Sequence, residues 1–187
     1  MSHAGEKAKK FLDGASTYAT PWNLTKGHRF FYDSFHGLFQ RAIGLNLNRI
    51  VRSNQLEPLK QHCSEEDAAH YDWAINTNKT GLDRFDQEVY PRMWGYKDAM
   101  DYYEKCSLDL IFMNIKVPTL SFESRDDILA DYNVIPLTKI ASDESNVLVA
   151  VTKSGAHACH LSGSLKPKNW YQEPILEFFN FLRSKQT

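Results

Sequence analysis

The sequence VPTLSFESRDD runs from Val117 to Asp127, and VLVAVTKSGAH runs from Val147 to His157. Each begins with a short apolar run typical of a buried strand and continues into a polar loop. The first loop delivers two acids, Asp126 and Asp127, and the second delivers a histidine. Functional side chains of open α/β sheets gather at the carboxyl ends of the strands. The pattern therefore predicts a layered α/β fold in which a carboxylate and an imidazole meet at one edge of the sheet.

A carboxylate beside a histidine suggests acid–base chemistry. A histidine that acts as a general base needs an anion on one ring nitrogen, which fixes its tautomer and stabilises the imidazolium. Asp127 and His157 are the candidate catalytic residues on this argument, and Gly155 allows the sharp turn that would aim the ring into a cleft. His160 competes with His157 for the role of base. The alternative is that the paired acids are ordinary turn residues and that His157 is an ordinary loop histidine.

Other chemistries have less support in the sequence. There is no Gly-x-Ser-x-Gly turn to carry a serine nucleophile, so the pattern amounts to two thirds of a hydrolytic triad. A metal site made of His157, Cys159 and His160 is disfavoured, because structural zinc sites usually show two paired clusters. A cysteine nucleophile at Cys63 is disfavoured because its neighbour His62 would not face it on a helix. We expect no metal and no organic cofactor.

Length and composition fit one domain in a reducing environment. The chain has 187 residues, of which 42% are hydrophobic, and this is enough to bury a core. The formal net charge of −1 gives no electrostatic reason to expect a nucleic-acid partner. Three cysteines without regular spacing favour thiols in a reducing compartment, either cytoplasmic or at a membrane that faces one. No apolar run is long enough to span a bilayer.

The two ends of the chain alternate helix and strand. Glu6–Leu12 is predicted to be a helix, and Ala15–Thr20 a strand that Pro21 ends. Trp22, directly after this strand, either packs in the core or lines a cleft, and packing is the favoured interpretation. Trp170–Arg183 is predicted to close the chain as an amphipathic helix against the sheet.

The middle of the chain, about 27–113, is predicted to be a helical insertion between strands. Apolar residues recur there at spacings of three and four, with a break between two helices at Gly44. Ser64, followed by three acids, marks a further helix start. Two more helical candidates are Thr80–Val89 and Tyr96–Cys106, separated by Pro91 and Gly95. The insertion is either a cap over a cleft or plain helical packing without a gating role.

Several of these motifs together resemble one known family. They look like the C-terminal half of YheT-like α/β-hydrolases, a group that includes abhydrolase-domain esterases and lipases and the medium-chain fatty acid ester synthase/esterases. The segment from Phe85-Asp86 to Tyr103 is similar to the family signature "FD … GF-x-x-A-x-x-YY", and the resemblance covers nearly the whole chain. The other matching segments are Ala15–Leu24 with its Pro-Trp-Asn-Leu turn, Ile115–Leu120, Arg125–Asp127, Asn146-Val147 and Gly155–His157.

The resemblance implies a Ser-Asp-His triad with Asp127 as the acid and His157 as the base. The family's usual Gly-Gly-His is Gly155-Ala156-His157 here, which restricts the turn. The family places its early strands, oxyanion loop and serine elbow before the segment that matches Met1–Leu12. We therefore expect residues 1–187 to be a partial α/β-hydrolase domain, in which 115–187 hold the last strands, the acid and histidine loops and the closing helix.

The function implied is that of a carboxylic ester hydrolase acting on small-molecule or lipid esters. As a fragment without the serine, the chain is expected to be inactive alone. It is also expected to self-associate through an exposed strand edge. Membrane association would depend on residues before Met1. The alternative is a non-catalytic remnant or interaction module that keeps the fold without the reaction.

Overall fold

The protein is described by a computed structural model that covers residues 5–76, 81–142 and 144–185. The chain forms two compact units. The sheet unit combines both ends of the chain, up to Phe30 and from Cys106 onward, and the helical unit is Phe31–Lys105. The helical unit is narrower than the predicted insertion of 27–113. Its C-terminal limit differs because Phe112, 1% exposed, packs in the core of the sheet unit.

The sheet unit contains three parallel strands. They are β1 (Ala15–Tyr18), β2 (Thr119–Ser124) and β3 (Val147–Thr152), in the order β1-β2-β3. All six residues of the central strand are buried. A short antiparallel pair, β4 (Leu161–Ser162) and β5 (Lys168–Asn169), follows the histidine loop. The predicted α/β fold with a mainly parallel sheet and flanking helices is confirmed.

Helices make up most of the remaining structure. None that the described residues form has both the length and the apolar character needed to cross a bilayer. The α-helices are α1 (Leu24–Asp33), α2 (Leu38–Asn54), α3 (Leu56–Gln61), α4 (Glu65–Asn76), α5 (Leu82–Arg84), α6 (Tyr90–Trp94), α7 (Ala99–Cys106), α8 (Leu108–Ile111), α9 (Leu137–Ile140) and α10 (Gln172–Ser184). Tighter 3₁₀ segments are Gly5–Lys10, Ser34–Gly37, Phe112–Asn114 and Tyr132–Val134, and Phe85–Val89 is π-helical.

The two faces of the sheet differ in character. Successive side chains of a strand point to opposite faces, so Ser121 and Glu123 share one face of β2 and Phe122 lies on the other. Trp22 is 2% exposed and packs edge-on against Phe112 in the core of the sheet unit. The packing interpretation of Trp22 is thus correct. Phe122 instead meets the ring of Trp170.

Several helices and strands begin or end at residues other than those predicted from the sequence. The predicted helix Glu6–Leu12 is a 3₁₀ segment, Gly5–Lys10, and β1 ends at Tyr18 rather than Thr20. The strand stops there because Ala19 turns into the left-handed region, with φ of 49°. The closing helix begins two residues later than predicted, at Gln172.

The helical unit confirms two predicted boundaries and corrects two others. The amide of Asp67 donates to Ser64 Oγ at 3.1 Å, and the helix starts at Glu65 as its acid-rich first turn predicts. The predicted break at Pro91 is wrong, because proline is tolerated in the first turn of a helix and Pro91 occupies that position in α6. Gly95, with φ of 73°, ends the helix as predicted. The predicted start at Thr80 lies outside the described residues.

The predicted break at Gly44 is also wrong. Helix α2 runs through Gly44 without interruption, and the residue is buried. A Cβ at this position would lie 2.3 Å from the carbonyl carbon of Gly81 and 2.4 Å from the amide nitrogen of Leu82. The glycine is needed because another backbone segment crosses the helix there.

We expect Gly44→Ala to destabilise the protein although alanine is the better helix former. Overpacking against a backbone typically costs about 1–3 kcal/mol, which exceeds the gain of about 1 kcal/mol in helix propensity. Gly27→Ala in α1 is the matched control, because a Cβ there has no neighbour within 4 Å. Urea denaturation followed by far-UV circular dichroism should show a loss for Gly44→Ala and a small gain for Gly27→Ala. Equal gains would contradict the close backbone approach.

Candidate active site

The first component of the site is the turn that follows β2. The strand ends at Ser124, and the amide of Asp127 bonds back to the Ser124 carbonyl. The side chain of Asp127 is only 2% exposed. Its Oδ1 accepts the backbone amides of Leu129 and Ala130 at 2.8 and 3.0 Å. These bonds leave Oδ2 available for a different partner.

The second component is the loop after β3. The strand ends at Thr152, and the chain turns through Gly155 and Ala156 to His157. A Cβ at Gly155 would fall 2.4 Å from the ring of His160, so only glycine allows this close approach. Because β2 and β3 are parallel neighbours, both loops lie at the same edge of the sheet.

The structure brings the two candidate residues together. His157 Nδ1 lies 2.9 Å from Asp127 Oδ2, which is hydrogen-bonding distance. The His157 side chain is 39% exposed, and within the described part of the chain its Nε2 makes no hydrogen bond. With Nδ1–H donating to the carboxylate, Nε2 is the basic nitrogen. This is the geometry that a general base requires.

The contact shifts both pKa values. Burial alone raises the pKa of the Asp127 carboxyl, but hydrogen bonds from His157, Leu129 and Ala130 outweigh it and hold that pKa below its ordinary value. The hydrogen bond to Asp127 raises the pKa of His157, against the smaller opposing effect of burial. The charge on Glu123 adds slightly to this increase. The pair is therefore stabilised as carboxylate and imidazolium.

His160, the competing candidate for the base, is instead buried and hydrogen-bonded through both ring nitrogens. It is 2% exposed, and its Nδ1 bonds the Tyr18 hydroxyl while Nε2 lies 2.7 Å from Thr152 Oγ1. Thr152 Oγ1 in turn donates to the carbonyl of Glu123, so the chain of bonds is satisfied by a neutral ring with its proton on Nε2. Burial lowers the pKa of His160, which agrees with this state. His160 has no ring nitrogen left to act as a base.

The hydrogen bonds of the two histidines also bear on the interpretation of His157, Cys159 and His160 as metal ligands. Both ring nitrogens of His160 are used by Tyr18 and Thr152, and Nδ1 of His157 is used by Asp127. Across residues 5–76, 81–142 and 144–185, no group of three or more His, Cys, Asp or Glu side chains is placed to hold a metal ion.

A second buried carboxylate, at Glu123, was missed by the sequence analysis. Glu123 is 3% exposed and accepts Trp22 Nε1 at 2.9 Å, Ser121 Oγ at 2.6 Å and the amide of Thr20 at 3.2 Å. Burial raises the pKa of Glu123, and these donors oppose the increase. Glu123 thereby fixes the turn after β1. An acid inside a strand pattern, on the same face as Ser121, was the available signal.

A third carboxylate, Asp126, had no role of its own in the sequence analysis. Its Oδ1 accepts the amides of Gly155 and Ala156 at 2.9 and 2.8 Å and also the hydroxyl of Ser124. The hydrogen bonds from Ser124 and the two amides hold the pKa of Asp126 below its ordinary value. The paired acids thus contact different parts of the histidine loop, one the backbone and the other the ring of His157.

The histidine loop contains backbone strain. Ala156 has φ of 46° and Ala158 has φ of 65°, in the left-handed region that disfavours residues with a Cβ. This strain costs roughly 1–2 kcal/mol per residue. The sequence had indicated a more restricted turn at Ala156, and the positive φ is the physical form of that restriction.

We expect Ala156→Gly to raise the free energy of unfolding by about 1 kcal/mol, because glycine adopts a positive φ without steric cost. Ala42→Gly, at an exposed position of α2, is the control for the opposite effect. It should lower the free energy of unfolding by about 1 kcal/mol through lost helix propensity. Urea denaturation of the two variants against the wild type measures both. A loss of stability for Ala156→Gly would show that Ala156 is not strained.

The Asp127–His157 pair should make stability depend on pH. The raised pKa of His157 contributes stability that is complete below about 6.5 and is lost as pH rises through the folded value. The lowered pKa of Asp127 contributes stability present above about 3.9 and lost as pH falls through its folded value. We expect the stability difference between wild type and Asp127→Asn to be largest between these limits and smaller at pH above the folded pKa of His157. An NMR titration should also show that Asp127→Asn lowers the pKa of His157; an unchanged pKa would mean that the pair does not form in solution.

Comparison with known proteins identifies relatives of this chain. It is 34% identical to the protein YheT of Escherichia coli (strain K12) over 54% of this chain and 30% of that protein. It is 25% identical to Monoacylglycerol lipase ABHD2 of Danio rerio over 80% of this chain and 36% of the relative. It is also 25% identical to the Monoacylglycerol lipase of Saccharomyces cerevisiae over 100% of this chain and 40% of the relative. No family model matches the chain, and no solved structure matches it.

The chain therefore spans between 30% and 40% of the length of these three relatives. They are all α/β-hydrolases, and the parallel sheet with flanking helices agrees with part of that fold. These findings confirm the resemblance drawn from the sequence. The chain is thus similar to YheT-like esterases and abhydrolase-domain lipases of the α/β-hydrolase superfamily.

Proposed function

We propose that this chain supplies the acid and the base of a serine-dependent carboxylic ester hydrolase. The observation that carries the proposal is the 2.9 Å contact between Asp127 Oδ2 and His157 Nδ1, with His157 Nε2 left as the basic nitrogen. The two residues follow neighbouring parallel strands. The resemblance to YheT-like α/β-hydrolases implies the same two residues as acid and base. The relatives named as lipases support an ester as the class of substrate.

In the proposed reaction, His157 Nε2 removes the proton of a serine hydroxyl as the serine attacks the ester carbonyl. The same proton then passes to the leaving alcohol, and the resulting acyl-enzyme is hydrolysed by water that His157 activates in turn. Asp127 remains ionised throughout, holds the imidazole in one tautomer and stabilises the imidazolium. No metal or organic cofactor takes part in this proposal.

The proposal places the serine outside these 187 residues. The sequence contains no Gly-x-Ser-x-Gly, and the relatives are more than twice as long as the matched segment. It also assigns the helical unit, Phe31–Lys105, to a cap insertion and proposes a lipid acyl ester as substrate. This choice of substrate rests on two relatives named monoacylglycerol lipase.

A non-catalytic role is the second candidate. The absent serine elbow favours it, because a triad without its nucleophile retains only weak residual catalysis. In that role the chain would keep the fold and the ion pair as a structural feature of an interaction module. Turnover by a version of the protein that carries a serine elbow separates the two candidates.

We expect no turnover of p-nitrophenyl acyl esters by the 187-residue chain. A longer version that includes a Gly-x-Ser-x-Gly segment should hydrolyse them, and His157→Ala should reduce its kcat by about 10³-fold or more. The acidic limb of its kcat/KM profile should rise with pH through the raised pKa of His157, because only the neutral ring accepts a proton.

His62→Ala is the matched control, since this exposed histidine lies in the helical unit. It should leave kcat within about twofold of wild type, as expected of a surface substitution. If the longer version hydrolyses no ester, thioester or amide, the catalytic proposal is wrong. If His157→Ala and wild type are equally active, the protein is a hydrolase but His157 is not its base.

A further inference from the structure

The carboxylate of Asp126 gathers three donors on one oxygen. Oδ1 accepts the amide of Gly155 at 2.9 Å, the amide of Ala156 at 2.8 Å and the hydroxyl of Ser124. Successive backbone amides that point at one anion form a concave anion-binding arrangement. Here the anion is a side chain of the protein itself, so the bonds tie the turn after β2 to the loop after β3.

This tether holds the start of the histidine loop, whereas the far end of the loop is held by His160, which bonds Tyr18 and Thr152. Residues 153–160 contain no regular helix or strand. Within the described part of the chain, Asp126 is the acceptor of both the Gly155 and the Ala156 amides. Ala156 also has φ of 46°, and a strained conformation persists only where its surroundings enforce it. The two amide bonds supply that enforcement directly before His157.

The neighbouring acid, Asp127, has a separate task. It is fixed by the amides of Leu129 and Ala130, and its Oδ2 receives the ring of His157. A ring bound at Nδ1 can still pivot about that bond. The position of Nε2 therefore also depends on where the backbone places the Cα of His157, and the loop sets that position.

We propose that Asp126 is a positioning residue that presents His157 to its reaction partner by holding the Gly155 and Ala156 amides. Its catalytic consequence rests on the function proposed above, whereas its effect on the His157 ring does not. The hydrogen bonds are charge-assisted, and such bonds are roughly twice as strong as neutral ones. They hold the pKa of Asp126 low enough for the carboxylate to stay ionised wherever His157 is neutral.

The alternative is that Asp126 is an exposed turn acid of no consequence for His157. Its side chain is exposed, and surface interactions are usually weak. A second alternative is that its negative charge acts on His157 through space. The charges of Asp127 and Glu123 both raise the pKa of His157, so the charge of Asp126 has to be separated from its hydrogen bonds by experiment. Three variants at position 126 separate these alternatives.

The test measures the pKa of His157 by NMR in the 187-residue chain, using Asp126→Ala, Asp126→Asn and Asp126→Glu. Asp126→Ala removes the tether, so the ring should undock from Asp127 and its pKa should fall toward about 6.5, the ordinary value. Asp126→Asn removes the charge but keeps an acceptor oxygen, so the pKa should stay closer to wild type. Asp126→Glu keeps the charge but moves the oxygen by one methylene, so the pKa should fall as in the alanine variant.

Asp131→Ala is the matched control. Asp131 is a half-buried carboxylate in the segment after β2, and it caps a 3₁₀ segment through the amide of Asn133. It should not change the pKa of His157. If Asp126→Ala does not fold by far-UV circular dichroism, the Asn and Glu variants decide the question between them.

Two outcomes overturn the proposal. An unchanged pKa in both Asp126→Ala and Asp126→Glu means that the tether does not position the ring. Equal decreases in the Ala and Asn variants, with no change in the Glu variant, mean that charge rather than position matters.

The catalytic consequence is measured in the longer, serine-bearing version. Misplacement of a catalytic group by about 1 Å costs about 10²-fold in rate, so Asp126→Ala should lower kcat by about that factor with little change in KM. Asp126→Asn should recover most of the rate. A purely structural role would lower the melting temperature and leave kcat unchanged below it. If the wild-type version has no esterase activity, the proposed function fails, and the NMR result still decides the role of Asp126.

Discussion

Hydrogen bonds to carboxylates at the end of β2 hold the candidate site together. Glu123 accepts donors from the turn after β1, Asp126 accepts amides from the loop after β3, and Asp127 accepts the ring of His157. Two segments that are distant in sequence, the turn after β1 and the loop after β3, thus converge on five consecutive residues at the end of β2 and in the turn that follows. The arrangement requires β2 to be central, because only the middle strand has a neighbour on each side.

This arrangement carries an energetic cost that the donors offset. Two of the three acids, Glu123 and Asp127, are buried, and taking a carboxylate out of water is unfavourable unless it is hydrogen-bonded. Asp127 receives enough donors for its pKa to lie below the ordinary value, whereas burial still dominates at Glu123. Removing a single donor would leave a buried charge partly unsatisfied, which is more costly than the loss of an average hydrogen bond. The site and the fold therefore share the same interactions.

Much of the sheet unit could be predicted from sequence because its signals are local. Apolar runs that end in polar loops located β2 and β3, and the parallel pairing of such strands placed Asp127 near His157. Features that depend on tertiary contacts were missed. Gly44 was predicted to break the helix because glycine is a poor helix former. Its role is to admit the backbone of Gly81, which no local pattern reveals. His160 resembled a second base because its partner Tyr18 lies on a strand near the start of the chain.

The bond between Tyr18 and His160 also constrains how the site forms during folding. The two residues are 142 positions apart, and Tyr18 pairs in register with Phe122 on β2. A one-residue slip of β1 would turn the Tyr18 ring to the opposite face of the sheet and release His160. Contacts of such long sequence separation form slowly, because the chain entropy of closing the loop must be overcome first. The native conformation of the histidine loop is therefore complete only when the first strand is paired in its correct register.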